Sequence, residues 1–301
     1  MVHLKEQLDR IMAGDFKTIS RCISLIENEA GAYEHLLKAL PNISTANIIG
    51  ITGPPGAGKS TLVDSIIGSF VAENEMVAVI CVDPSSPFSL GALLGDRIRM
   101  SEWYTHPGVF IRSLASRGSH GGLNPKIIEI TDLLKAGPFK YIIVETVGVG
   151  QSEIEIAGLA DTTMVVLVPE AGDEVQTMKA GLMEIADIFV VNKSDRPDAD
   201  LFERNLRLML SPAIARVHHE IPIVKTVASS KTGIDELMTE IKKSLKVENN
   251  DEKKMWLLTE KAFQLIQQKK MKEIDKGELQ KKISTLVKDG NFNLYAFIEN
   301  I

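Results

Sequence analysis

The spacing of apolar residues along the chain changes twice, which divides it into three stretches. Leu4, Leu8 and Ile11, then Ile19, Ile23 and Ile26, recur every three or four positions, the period of helices that bury one face. From Ala46 onward short, β-branched apolar runs alternate with helix-like stretches: NIIGIT, VAVICVD, VFIRSL, YIIVE, TTMVVLV, DIFVVN and PIVKTV. Strands separated by helices imply right-handed crossovers and a sheet covered on both faces. The pattern predicts a helical segment over 1–45 and an α/β domain with a mostly parallel central sheet over 46–246. After Leu245 the polar run KVENNDEKKMW leads into a lysine-rich helical pattern over 252–289, with Trp256, Leu257, Phe263 and Ile266 as its apolar stripe. A helical extension over 247–301 follows, its stripe either packed on the chain's own core or offered as a dimer surface.

Composition narrows the classes. Of 301 residues, 44% are hydrophobic and 25% charged, the balance of an ordinary globular protein. A net charge of -6 argues against a nucleic-acid surface. Cys22 and Cys81 lack metal-ligand spacing and read as free thiols in a reducing compartment. No apolar run approaches the roughly 18 residues of a membrane span. The first residues mix acids into a helical pattern, unlike a secretory or transit signal. The expected location is the cytoplasm, with no membrane partner.

The most specific chemistry lies in IIGITGPPGAGKST. Gly53, Pro54, Pro55, Gly56, Ala57, Gly58, Lys59, Ser60 and Thr61 follow a predicted strand and open a predicted helix, with the spacing G-x-x-x-x-G-K-[ST]. Glycines let the backbone N–H groups wrap a β-phosphate, and the helix N-terminus adds its positive dipole end. Lys59 then bridges β- and γ-phosphates, and Ser60 offers a hydroxyl to Mg2+. At the end of a later strand stands Asn192-Lys193-Ser194-Asp195. A carboxylate there accepts both the ring N–H and the exocyclic amine of guanine, a donor pair that adenine lacks. Asn192 can tie this loop to the phosphate loop, and the Lys193 stem can cover the base. In TVASSKTGIDEL, the backbone of Val227, Ala228 and Ser229 is placed to meet the guanine oxygen.

Three acids remain: Asp83 closing VAVICVD, Asp96 in SLGALLGDRIRM and Glu145 closing YIIVE. Magnesium on phosphates keeps several waters and needs one or two carboxylates close by. Gly148, three residues after Glu145, can offer its N–H to a γ-phosphate. Val149 follows, so the water-positioning glutamine of Ras-like proteins is missing. Asp83 is the first candidate to orient the water and Gln151 the second, which predicts slow, partner-responsive hydrolysis. Arg97, Arg99 and Arg117 could neutralise transition-state charge or form surface pairs. His218 and His219, adjacent in sequence, suit one metal poorly, and His120 sits in a glycine-rich run.

Taken together, GPPGAGKST, VDPSSPFSLGALLGDRIRM, IRSLASRGSHGGL, VETVGVGQSE, AGDEVQTMKAGLMEIADIFVVNKSD and GIDEL resemble the MeaB/ArgK family of G proteins. The similarity spans roughly residues 45–240. It implies a SIMIBI-type P-loop NTPase fold and a homodimeric GTPase that binds GTP, GDP and Mg2+. Family members act as chaperones of an adenosylcobalamin-dependent acyl-CoA mutase, methylmalonyl-CoA mutase above all. They gate cofactor delivery and protect or reactivate the mutase. The resemblance assigns Lys59 and Ser60 to phosphates and Mg2+, Asp83, Asp96 and Glu145 to the acidic Mg2+/water site, and Asn192, Lys193 and Asp195 to guanine. Segment 169–181, PEAGDEVQTMKAG, matches a further switch that couples nucleotide state to the mutase. Glu170 stands where the family usually has glycine, and lacks glycine's freedom at positive φ. Two other classes remain: a kinase linked to basic amino-acid transport, against which NKSD argues, and a non-catalytic nucleotide-dependent scaffold.

Overall fold

A computed structural model describes residues 2–41, 45–83, 100–116, 123–146, 152–171, 185–217, 221–246, 251–271, 274–288, 290 and 292–299. Each of the seven apolar runs forms a strand: β1 (Asn47–Thr52), β2 (Val77–Asp83), β3 (Val109–Ala115), β4 (Tyr141–Glu145), β5 (Thr162–Leu167), β6 (Ile188–Val191) and β7 (Ile223–Lys225). They make one seven-stranded sheet in the order β3-β2-β4-β1-β5-β6-β7, with every pairing parallel. Later strands lie on both sides of β1, so the chain order reverses there. In sheets of this kind ligands bind outside the carboxyl ends of the strands at that point.

Alternation along each strand decides which helix it receives. On one face Ile49, Ile51, Val79, Ile143, Val166 and Val190 meet α4 (Lys59–Ala72) and α8 (Ile234–Ser244). Leu62, Ile66 and Phe70 of α4 are fully buried there, and Phe70 stacks on Tyr141 with ring centroids 3.8 Å apart. On the other face Val165, Leu167, Phe189 and Val191 receive Phe202, Leu206 and Leu210 of α7 (Ala199–Val217). Burying each such side chain stabilises the fold by about 1.5–3 kcal/mol before entropy is counted. Helix α6 (Ser152–Leu159) crosses β1 at Gly50, where a Cβ would stand 2.6 Å from Ile156 Cγ1.

The first helices are α1 (Val2–Met12), α2 (Phe16–Glu27) and α3 (Tyr33–Lys38). Asp15 caps α2, accepting from the Lys17 N–H at 3.1 Å and the Thr18 hydroxyl at 2.7 Å. Ile19, Ile23 and Ile26 are fully buried. Phe16 lies edge-on to Phe110 of β3 and stacks on Phe139, and Arg112 of β3 donates to Glu27 at 2.9 Å. Helix α5 (Ile127–Lys135) also packs against α2. Cys22 and Cys81 are buried thiols.

The chain divides into two compact units, 1–251 and 252–301. The second holds α9 (Asp251–Met271), α10 (Lys276–Lys288) and α11 (Leu294–Glu299). Of the stripe read from the sequence, Trp256, Phe263 and Ile266 are 50%, 57% and 55% exposed. Among the described residues no helix is long and apolar enough to cross a membrane.

Candidate functional site

The phosphate-loop motif lies between β1 and α4, at the carboxyl end of the sheet. Two glycines are dictated by close approach. Gly53 has φ 140°, and a Cβ on it would fall 2.1 Å from the Val166 carbonyl oxygen. Gly58, at φ 87°, would bring a Cβ within 2.5 Å of the Asn192 side-chain amide. A side chain at either position would force the loop off its neighbours. Lys59 is buried, its ammonium donating to the carbonyls of Gly53 at 2.8 Å and Pro54 at 3.2 Å. The cation is thereby aimed back along its own loop, where phosphate oxygens can replace the carbonyls.

Ser60 and Glu145 meet beside it. The Ser60 hydroxyl donates to Glu145 Oε1 at 2.8 Å, and both residues are buried. These hard oxygen donors, one neutral and one anionic, suit Mg2+ and fit its demand for one or two carboxylates beside phosphate. Asp83 ends β2, which runs beside β4 with Cys81 level with Glu145. Asp96, Gly148 and Gln151 lie outside the described residues, as do Arg97, Arg99, Arg117, His120, His218 and His219.

One buried amide joins the base loop to the phosphate loop. The Asn192 NH2 donates to the Ala57 carbonyl at 2.8 Å. Its oxygen accepts from the Thr226 hydroxyl and the Ala228 N–H, each at 3.1 Å. Lys193, at φ 56°, extends its ammonium to the Gly56 carbonyl at 2.7 Å. Asp195 follows on an exposed turn, where its carboxylate is accessible to a base. Val227 precedes a 3-10 turn over Ala228–Ser230. Ser65 of α4 fixes that turn by donating to the Ala228 carbonyl at 3.0 Å, while Ser229 is exposed. The arrangement gathers Lys59, Ser60, Glu145, Asn192, Lys193 and the 227–229 turn at one end of the sheet.

Sequence reasoning missed several contributors. Thr226 and Ser65 read as ordinary strand and helix positions, yet they orient Asn192 and the Ala228 turn. Arg196, one residue beyond Asp195, donates to the Glu170 carboxylate. That hydrogen bond holds the Glu170 carboxyl below its usual range. Glu170 lies in the 3-10 turn Pro169–Ala171, a conformation of negative φ, so this position makes no demand on glycine's freedom. Residues 172–181 of that segment lie outside the described ones. Thr52 and Thr146 also meet here, their hydroxyls 2.9 Å apart. The available signal was threonine closing strands otherwise built of valine and isoleucine.

An all-parallel sheet with a glycine-lysine-serine phosphate loop after its central strand, tied by a buried amide to an N-K-x-D loop, defines a P-loop nucleotide-binding protein. The family described as methylmalonyl Co-A mutase-associated GTPase MeaB matches residues 19–283, and the chain belongs to it. A protein of Pyrococcus horikoshii assigned as a GTPase is 48% identical over 250 residues, covering 82% of this chain and 79% of that one. The fused isobutyryl-CoA mutase of Geobacillus kaustophilus is 34% identical over 238 residues, covering 74% of this chain and 22% of that one. Among solved structures, an LAO/AO transport system kinase superposes with a TM-score of 0.66 at 25% identity, covering 100% of this chain and 96% of that one.

Proposed function

We propose that this protein hydrolyses GTP to GDP and phosphate and uses that cycle to attend an adenosylcobalamin-dependent acyl-CoA mutase, methylmalonyl-CoA mutase first. The observation that carries the reading is the match to a protein named as a fused isobutyryl-CoA mutase, of which the shared stretch is 22%. A GTPase domain and a mutase joined in one chain is the arrangement expected of two activities that work together.

In this reading Lys59 exchanges its loop carbonyls for β- and γ-phosphate oxygens, and the exposed Asp195 carboxylate accepts the two guanine donors. Ser60 and Glu145 hold Mg2+, which when bound neutralises charge building on the phosphates. A water aligned with the γ-phosphorus attacks as the bond to the β–γ bridging oxygen breaks, and GDP leaves. Asp83, at the end of β2, orients that water. With no glutamine after Gly148, unaided turnover is slow and the mutase sets its timing. Residues 1–45 form a helical layer, 46–246 the G domain and 247–301 an extension that pairs two copies.

The test is turnover of GTP and of ATP, each with and without purified methylmalonyl-CoA mutase. GTP preferred over ATP and faster turnover with the mutase are expected. ATP preference, phosphate transfer to a protein acceptor, or indifference to the mutase overturns the reading.

A further inference from the structure

We infer that Thr52 and Thr146 are positioning residues, a hydroxyl clasp that holds the carboxyl ends of β1 and β4 at the separation the Ser60–Glu145 pair requires. The inference rests on the proposed GTPase reading of this site.

Strands β1 and β4 run side by side, with Ile51 level with Glu145, and the ladder ends as the Thr146 N–H donates to the Ile51 carbonyl at 2.9 Å. One step further on, Thr52 and Thr146 face each other, 0% and 1% exposed, and the Thr146 hydroxyl donates to that of Thr52 at 2.9 Å. Directly after Thr52 comes Gly53, whose carbonyl receives Lys59; directly before Thr146 comes Glu145, whose carboxylate receives Ser60. The bond therefore joins the strand ends that carry the Gly53 carbonyl and the Glu145 carboxylate.

Packing alone does not call for these hydroxyls. The neighbouring positions Ile51 and Val144 are filled by aliphatic side chains, and valine has threonine's shape. The difference is distance. Two oxygens sharing a proton sit at 2.9 Å, whereas two methyl groups come no closer than about 3.5–4.0 Å. Valine at both sites would spread the strand ends by up to about 1 Å, a displacement of the size that costs catalytic sites roughly 100-fold. It would do so without unfolding the sheet, because no buried hydroxyl is left without a partner.

The test compares wild type, Thr146→Ser, Thr146→Val and the double Thr52→Val/Thr146→Val variant. Four quantities are read: melting temperature, kcat and KM for GTP, and the Mg2+ concentration giving half-maximal slowing of GDP release. In both valine variants kcat should fall roughly 10- to 100-fold with KM within a few-fold of wild type. The Mg2+ requirement should rise, and Thr146→Ser should restore both. A double variant with wild-type kcat and Mg2+ requirement overturns the inference, as does a loss of melting temperature with kcat intact. If wild type itself turns over no GTP, the proposed function falls separately. The Mg2+ arm then decides: equal Mg2+ dependence in wild type and double variant overturns the clasp, and a raised requirement supports it.

Discussion

The carboxyl end of the sheet and the C-terminal helices treat the same kinds of residue in opposite ways. Around β1, apolar side chains are used up in two cores, and polar ones are drawn into short bonds that each serve a loop. Lys59, Ser60, Glu145 and Asn192 are all buried, and each has a partner on a different segment or within its own loop. In α9 the apolar stripe is left outside, with Trp256, Leu258, Phe263 and Ile266 each about half exposed or more. Residues 252–301 carry ten lysines against seven acids, in a chain whose net charge is -6. The contrast teaches that burial of charge marks a site only where the surrounding fold supplies partners.

The most damaging change to the first region is Lys59→Ala. Removing the buried cation should take GTP binding below detection in a calorimetric titration, and wild-type affinity would undo the phosphate-loop assignment. Phe189→Ala, in the fully buried cluster with Leu206, should cost about 3–5 kcal/mol in urea unfolding. A loss under about 1 kcal/mol would mean the second core is loosely packed.

Asp195→Asn should reduce discrimination between GTP and ATP by about 2 kcal/mol, since an amide cannot accept from both guanine donors. Competition binding measures it, and an unchanged ratio removes Asp195 from base recognition. Asp15→Ala should lower the melting temperature slightly at neutral pH by uncapping α2. The Thr18 hydroxyl, with the backbone N–H groups it faces, holds the Asp15 carboxyl below its usual value. Its stabilising effect is therefore present above the ordinary carboxylate pKa and fades as pH falls through the depressed one. Wild type and variant should converge in acid; a gap that widens there would contradict the cap.

Smallest of all should be Trp256→Ser, within about 0.5 kcal/mol of wild type by chemical unfolding at low protein concentration. If residues 247–301 pair two copies, that loss grows with protein concentration; sedimentation of the wild type as a monomer would remove the pairing.

Much of the site was legible from local pattern because its chemistry depends on neighbours in sequence. Gly53 to Thr61 and Asn192 to Asp195 are contiguous motifs, each readable without knowledge of the fold. The strands were legible for the same kind of reason, since a parallel sheet buried on both faces leaves unbroken apolar runs. What pattern could not reach were pairings across strands and helices. Nothing near Thr52 in sequence points to Thr146, 94 residues away, or near Ser65 to Ala228, 163 residues away. The exposure of α9 was equally hidden, because an amphipathic stripe looks alike whether or not anything covers it.

The sequence by itself determined the nucleotide motifs, the strand runs and the helical termini, each set by short-range geometry and period. Only the tertiary structure decided that Asn192 would tie its loop to two other segments, that Glu145 would receive Ser60, and that two threonines would close on each other. Those contacts depend on strand order, and strand order is fixed by how the whole sheet buries its faces.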